Sequence, residues 1–251
     1  TMEVPAFVAP VSDSGESDKQ GAGFGVQMSD SPESDTQGRD SEGCSRRPGE
    51  ERQHLQAAGS QYGWMADSLP ETMIRDAKES ALHLGVDTLD LLYSHGPDPA
   101  VPYEDQCGAL KQLLDEGVIK YAGISRVNNE QIDLARGIIG SGLVAVQNQF
   151  SPSHPDPEHT MEHCAELGLA FVCWSPLGGF LDTFDQSAYD PFRTVAAQRG
   201  CSYQRVVLAW ELTRYERLFT IPSARNPQEI NDSFAATQLQ LTQEELAMLP
   251  C

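Results

Sequence analysis

The segment LDLLYSHGPD, residues 89–98, predicts a buried strand that ends at a histidine. Gly96 and Pro97 then break the strand. Barrels and open α/β sheets carry their chemistry at the carboxyl ends of such strands. The imidazole of His95 can donate a hydrogen bond or move a proton near neutral pH. His95 is therefore a candidate catalytic residue, although a polar residue that only caps a strand explains this segment equally well.

Helix and strand signals alternate on both sides of this segment. Periodicity predicts strands at 88–93, 118–124, 143–150, 169–174 and 218–222. It predicts helices at 68–84, 103–116, 129–139, 156–167, 202–215, 227–237 and 242–249. Ser68 and Pro70 resemble the cap and first turn of the first helix. Strict alternation predicts a parallel sheet with right-handed crossovers. Polar residues end the strands: His95, Ser125, Gln147, Trp174 with Ser175, and Ser223 with Arg225.

These strand ends predict the mouth of a barrel. The fold class is therefore α/β, a partial (β/α)8 TIM barrel in which about five of the eight βα units are recognisable.

Residues 1–66 differ in composition. Ser, Gly, Asp and Glu dominate positions 11–60, where the large apolar residues are only Val11, Phe24, Val26, Met28 and Leu55. Such a segment cannot offset its ordering entropy. We predict a disordered N-terminal segment at 1–66 and a barrel domain at 67–251.

Composition excludes several classes of partner. The chain has 251 residues and a formal net charge of −20, which argues against nucleic acids and anionic membranes. No apolar run reaches the length of a transmembrane helix, and no secretory leader is recognisable. Six cysteines, at 44, 107, 164, 173, 201 and 251, form no C-x-x-C pair. The sequence therefore predicts a cytoplasmic protein with free thiols.

The residues from Ser68 onward resemble the C-terminal two-thirds of an aldo-keto reductase. Five motifs carry the resemblance in family order: residues 84–95, EGVIKYAGIS at 116–125, VQNQFSP at 146–152, WSPLGGF at 174–180 and IPSARNP at 221–227. The resemblance implies a (β/α)8 barrel that binds NADPH and reduces aldehydes or ketones by hydride transfer. It also implies a catalytic tetrad of Asp, Tyr, Lys and His, whose histidine corresponds to His95.

The resemblance assigns further residues to the cofactor. Ser125 and Gln147 correspond to the residues that hold the nicotinamide carboxamide, and Trp174 to the aromatic residue that stacks on its ring. Arg126, also assigned to the cofactor, stands where the family usually has Asn, so a cation replaces a neutral amide there. The pyrophosphate loop and the adenosine end are assigned to Ser175, Pro176, Leu177, Gly179, Ser223, Arg225 and Asp232, with Ser233 where Asn is usual. Taken singly, Trp174 is also explained by core packing, and Arg225 by a surface position.

The Asp, Tyr and Lys of the family's tetrad have no clear counterpart in this sequence. The family motif Asp-Thr-Ala-x-x-Tyr-Gly is absent, and its nearest match, residues 57–63, has Ala57 in place of the Asp. Tyr62 is a weak proton-donor candidate, because too few residues separate it from His95 for a whole βαβ unit. Lys19 and Lys78 are unconvincing as the tetrad lysine. Three interpretations stay open: a truncated or wrongly joined gene product, a strand supplied by residues 4–11, or a partner on the open side.

Two other motifs suggest different chemistry. Residues 21–25, GAGFG, lack the third glycine of a dinucleotide fingerprint and are interpreted as a linker. His159, Glu162 and His163 form an H-x-x-E-H pattern on a predicted helix, which would put both histidines on one face as in a zinc peptidase. This is the remote alternative, and no metal is expected.

Two main hypotheses therefore remain. In one, the chain is an NADP(H)-dependent oxidoreductase acting on a small carbonyl or alcohol substrate, with activity impaired by the incomplete tetrad. In the other, it is a non-catalytic remnant that binds a nucleotide or a partner. An incomplete barrel leaves sheet edges unpaired, so self-association through the open edge is also expected.

Overall fold

The structure is a computed structural model that describes residues 67–156, 158–179 and 185–250. Its helices are α1 (Pro70–Leu84), α2 (Tyr103–Asp115), α3 (Asn129–Ile139), α4 (Thr160–Leu167), α5 (Asp190–Arg199), α6 (Tyr203–Leu212), α7 (Pro227–Ala235) and α8 (Gln243–Leu246). Its strands are β1 (Leu89–Ser94), β2 (Ile119–Ser125), β3 (Leu143–Gln149), β4 (Ala170–Trp174) and β5 (Leu218–Thr220).

The five strands form one parallel sheet in the order β1-β2-β3-β4-β5. Sequential neighbours joined by helices are the arrangement of consecutive βα units. The predicted α/β class and the five βα units are therefore confirmed. The hypotheses about residues 1–66, including a strand at 4–11 and Tyr62 as proton donor, lie outside the described residues.

Helix boundaries follow local capping, and two predicted starts are wrong. Leu69, not Ser68, precedes the first turn of α1, and the Ser68 N–H instead donates to the Asp98 carboxylate at 3.1 Å. Helix α4 begins at Thr160 rather than at Asp156. The carboxylate of Asp156 accepts the N–H groups of Thr160 and Met161 at 3.0 and 2.9 Å, so it caps the helix from outside. Helix α5 was not predicted.

The core lies between the helices and one face of the sheet. Leu92, Ala122, Ile124, Val146, Phe171 and Cys173 point from the strands into this layer. The helices contribute Leu110, Leu113, Ile132, Val206 and Trp210, all of them buried. Burial of these apolar side chains is the main force that holds the helices against the sheet.

The opposite face of the sheet, here called the inner face, carries exposed apolar side chains. Leu91 and Tyr121 are register partners and are 42% and 50% exposed. Phe219 and Ile221, at the β5 edge, are 58% and 47% exposed. Side chains alternate between faces along each strand, so these residues share the face opposite the helices. The same alternation places Tyr93, Ser125, Gln147 and Trp174 on the inner face, nearer its carboxyl edge.

Within the described ranges, none of the helices combines the length and apolar character that crossing a bilayer requires. The expected cytoplasmic location stays a prediction.

Candidate active site

Ser125 and Gln147 meet at the carboxyl ends of β2 and β3. They are register partners, and the Ser125 hydroxyl donates to the Gln147 backbone carbonyl at 2.7 Å. The Arg126 N–H donates to the same carbonyl at 3.1 Å. The Gln147 carboxamide forms no hydrogen bond with a described residue, and its side chain is half-buried. Its amide N–H and C=O groups therefore remain available to a ligand.

Asn148, which the sequence analysis did not single out, fixes the loop that follows β2. Its Oδ1 accepts the Val127 N–H at 3.1 Å, and its Nδ2 donates to the Val127 carbonyl at 2.7 Å. A side-chain amide that pairs with both groups of one residue holds that residue as a backbone partner would. Its signal in the sequence is its place beside Gln147 in the VQNQFSP motif.

The Arg126 side chain lies across the carboxyl edge of the sheet. Its φ is +57°, in the left-handed region that residues other than glycine rarely adopt. Its guanidinium carbon lies 5.4 Å from the centroid of the Trp174 ring, a cation–π contact. A Cβ on Gly96 would lie 3.4 Å from the Cδ of Arg126, so the glycine leaves room for the arginine stem. Arg126 thus spans from the end of β1 to the end of β4.

His95 follows β1 and is exposed beside Gly96. Desolvation by neighbouring atoms lowers its pKa below the usual 6.5, and the positive charge of Arg126 lowers it further. The lowered pKa favours the neutral imidazole, in which one ring nitrogen carries a hydrogen.

This depressed pKa gives a first prediction. In a pH titration by NMR, we expect the His95 midpoint below 6.5, and we expect Arg126→Ala to raise it. The unfolded chain binds the proton more readily, so this contribution to stability is present above pH 6.5 and decreases as the pH falls through the folded-state pKa. Arg214→Ala removes the other guanidinium that lies on a tryptophan and should leave the midpoint unchanged. Equal midpoints in Arg126→Ala and the parent chain would contradict the proposed coupling.

Trp174 forms one wall of a cleft of about 410 Å³ at these strand ends. The cleft is also lined by Arg126, Asn148, Gln149 and His154. The Trp174 indole nitrogen is buried and has no hydrogen-bond partner in the part of the chain that the structure describes. A buried N–H without an acceptor is destabilising, and a ligand oxygen would satisfy it. His95, Ser125 and Gln147 are not among the residues that line this cleft, and His95 lies at the β1 end of the same edge.

The segment after β4 forms a tight turn. Ser175 has a φ of +48°, and its carbonyl accepts the Gly178 N–H at 2.8 Å. Pro176 is buried, Leu177 half-buried and Gly179 exposed. Ser175 and Arg126 are thus two non-glycine residues with left-handed backbone at one edge of the sheet. Such strain clusters at ligand-binding segments.

The predicted adenosine-binding residues already have partners within the protein. Arg225 donates to Glu229 from its backbone N–H at 2.8 Å and from Nη2 at 2.9 Å. Asp232 accepts hydrogen bonds from Ser202 and from Arg205, the latter through Nε at 3.0 Å. Ser223 is exposed after β5, and Ser233 is half-buried on α7. Both charged residues would have to exchange these partners for a nucleotide.

The predicted pair of histidines on one helix face is wrong. Only His163 lies within α4, because His159 precedes the helix with a φ of +55°. The His163 imidazole lies 2.8 Å from a carboxylate oxygen of Asp133 on α3. In the described part of the chain, no three His, Cys, Asp or Glu side chains are grouped so that they could hold a metal ion. The zinc-peptidase alternative has no geometric support there.

Parallel strands with polar carboxyl ends around one edge define this molecule as a barrel-type α/β protein with its candidate site at the strand ends. The chain belongs to the aldo/keto reductase family, whose model matches residues 53–250. A pyridoxine 4-dehydrogenase of Escherichia coli is 28% identical over 198 residues, which cover 76% of this chain and 67% of that protein. An aldo-keto reductase of Strobilurus tenacellus is 27% identical over 209 residues, 71% of this chain and 62% of that protein.

Solved structures of aldo-keto reductases have a fold similar to that of this chain. An aldose reductase from Giardia lamblia is similar with a TM-score of 0.64 and 24% identity, over 74% of this chain and 68% of that one. A Bombyx mori aldo-keto reductase in complex with NADP has a TM-score of 0.61 and 25% identity, over 73% and 64%. The matches thus span between 62% and 68% of the length of these four proteins.

Proposed function

We propose that this chain binds NADP(H) at the carboxyl edge of its sheet and acts as an NADP(H)-dependent oxidoreductase of the aldo-keto reductase type. Its substrates are small aldehydes or ketones, or the corresponding alcohols, and its activity is impaired because the tetrad is incomplete. The observation that carries the proposal is the pairing of Ser125 with Gln147 on adjacent strands, beside a Gln147 carboxamide that forms no hydrogen bond with a described residue. The Bombyx mori relative in complex with NADP supports the choice of cofactor.

The residues present fit a nicotinamide ring. The Gln147 amide can pair with a carboxamide, and the Ser125 hydroxyl oxygen keeps lone pairs that can accept a hydrogen bond. Trp174 offers an aromatic face and an indole N–H that pairs with none of the described residues. The guanidinium of Arg126 lies over that ring, so it has to move or the nicotinamide has to take the other face. Bound NADPH supplies the hydride for carbonyl reduction.

His95 orients the carbonyl in this proposal. A neutral imidazole can donate its N–H to the carbonyl oxygen and stabilise the negative charge that develops there. The alkoxide then needs a proton, and the family motif that carries the acidic Tyr is absent from the 251 residues. General acid catalysis contributes roughly 10²- to 10⁴-fold, so we expect turnover to be lower by about that factor.

The test is NADPH titration monitored by tryptophan fluorescence, followed by turnover of a general aldehyde. We expect saturable quenching that Trp174→Phe abolishes and affinity that Gln147→Ala reduces about tenfold. Gln112→Ala, on the outer surface of α2, is the matched control. Absence of NADPH binding would refute the proposal. Turnover that survives His95→Ala would refute the role of the histidine.

Glu229 provides a prediction about the adenosine end. Its carboxylate accepts hydrogen bonds from Arg225 and Asn226, and the Arg225 N–H groups hold its pKa below the usual value. It therefore competes with any phosphate for Arg225. We expect Glu229→Gln to raise NADPH affinity about two- to fivefold and leave NADH affinity unchanged. Glu130→Gln, in the equally capped first turn of α3, is the control. Equal gains for both cofactors would show that Arg225 does not meet the 2′-phosphate.

A non-catalytic role remains the second candidate, supported by the missing tetrad motif. NADPH binding without turnover on any aldehyde would favour it.

Self-association through the open sheet stays a proposal, supported by the exposed Leu91, Tyr121, Phe219 and Ile221. Sedimentation over a range of concentrations tests it, and a constant monomer mass would contradict it.

A further inference from the structure

Most cationic side chains in the described part of the chain are neutralised. Eight form ion pairs with carboxylates: Arg75, Lys78, Lys111, Lys120, Arg193, Arg199, Arg205 and Arg225. Arg136 and Arg217 donate to backbone carbonyls. The guanidinium groups of Arg126 and Arg214 lie over tryptophan rings and form no hydrogen bond with a described residue. In a chain of net charge −20, an unneutralised cation is a candidate binding group.

Of these two, only Arg126 lies at the strand ends with His95 and Trp174. We propose that Arg126 anchors a carboxylate on the carbonyl substrate, so that the site prefers short oxo acids to neutral aldehydes and ketones. This inference rests on the proposed function, because it names the substrate class of that same site. A guanidinium is suited to the task, since two of its N–H groups can pair with the two oxygens of one carboxylate.

The surroundings hold Arg126 in place without consuming its donors. Its backbone N–H is bound to the Gln147 carbonyl, and its stem lies against Gly96. Its left-handed φ of +57° is a strained conformation that the surrounding contacts must maintain. Contact with the Trp174 ring stabilises the cation but uses none of its N–H groups in hydrogen bonds. The group is thus positioned in advance for an anion, which lowers the entropic cost of binding.

Two carboxylates line the same cleft and do not neutralise this cation. Asp156 uses its oxygens to cap α4, as described above. Glu158 is exposed, and no ion pair joins it to Arg126. The cleft therefore retains a positive group on its Arg126 side.

The position of Arg126 limits the length of the acid. Its stem passes beside Gly96, the residue next to His95, and its charge acts on the His95 imidazole. A ligand that pairs with the guanidinium and accepts a hydrogen bond from His95 must therefore carry its carboxylate close to its carbonyl. Short 2-oxo acids meet this requirement, whereas an aldehyde without an acid group makes only the His95 contact.

The inference can be tested by ligand-observed NMR with pyruvate, its neutral analogue acetone and inorganic phosphate, each with and without NADPH. We expect saturable pyruvate binding, weaker by at least tenfold in Arg126→Ala and partly retained in Arg126→Lys. Arg214→Ala is the matched control, because it removes the other guanidinium on a tryptophan, at 5.2 Å from the Trp210 centroid. It should bind pyruvate as the parent chain does, and acetone should not bind at the same concentrations.

The outcomes separate this inference from the proposed function. Pyruvate binding without NADPH binding would overturn the proposed function and leave the acid site in place. NADPH binding without pyruvate binding would overturn the inference alone, and failure of both ligands would overturn both. Equal pyruvate affinity in Arg126→Ala, or displacement of pyruvate by phosphate at lower concentration, would also overturn it. The latter result would assign Arg126 to a phosphoryl group, such as one on the cofactor.

Discussion

Replacing Glu211 with leucine is expected to stabilise the protein by about 2–4 kcal/mol at pH 8. Glu211 lies on α6 with no exposed surface, and neither of its carboxylate oxygens has a hydrogen-bond partner among the described residues. Burial raises its pKa well above 4.5, because the apolar surroundings disfavour the charged carboxylate. Leucine has a similar volume and no polar atom to desolvate. Urea unfolding at several pH values measures the difference.

The pH dependence of this effect has a definite sign. Above pH 4.5 the unfolded chain releases the Glu211 proton while the folded protein keeps it. Stability therefore falls as the pH rises, by about 1.4 kcal/mol per unit, until the folded-state pKa is reached. Glu211→Leu should remove this slope, so its advantage is larger at pH 8 than at pH 5. Glu211→Gln removes the titration but keeps a buried polar group, and should gain less stability. A gain independent of pH would contradict the buried acid as its cause.

The topology could be predicted because it follows from local patterns. Alternating apolar runs and capped helices predict βα units, and parallel units of this kind allow few arrangements. Helix α5 was missed because Pro191 and the polar residues around it obscure the periodicity. Its apolar face consists only of Phe192, Val195 and Ala196. Glu211 was not recognised because its burial depends on which face of α6 meets the sheet.

The site was predictable as a set of strand ends but not as a set of contacts. The order of the strands places Ser125 beside Gln147, and that relation follows from the sequence pattern. The cation–π contact of Arg126 with Trp174 joins β2 to β4 across an intervening strand, so it depends on register and twist. The pairing of Arg225 with Glu229 depends on the loop before α7, where a side chain four residues away competes with a ligand.

The closest packing beneath the site joins Tyr93 to Gly123, which are register partners on β1 and β2. A Cβ on Gly123 would lie 2.3 Å from Cε1 and 2.8 Å from Cζ of the Tyr93 ring, closer than real atoms approach. Burial of this ring also raises the pKa of Tyr93 to about 12. We therefore expect Gly123→Ala to lower the free energy of unfolding by about 2–3 kcal/mol, because the ring or the strand must shift.

A double-mutant cycle separates this clash from a loss of backbone freedom. When Tyr93→Ala is already present, Gly123→Ala should cost almost nothing, which gives a coupling energy of about 2 kcal/mol. Gly137→Ala, inside α3 with open space around its Cβ, should instead stabilise the protein by about 0.5–1 kcal/mol. Tyr93 lies two residues before His95, which follows β1, and Gly123 lies two residues before Ser125 on β2. Gly123→Ala should therefore also weaken NADPH binding. The Tyr93 ring fills the space beside Gly123 and so sets the distance between the carboxyl ends of β1 and β2. If the effects of Tyr93→Ala and Gly123→Ala on the free energy of unfolding were additive, the Tyr93 ring would not set this distance.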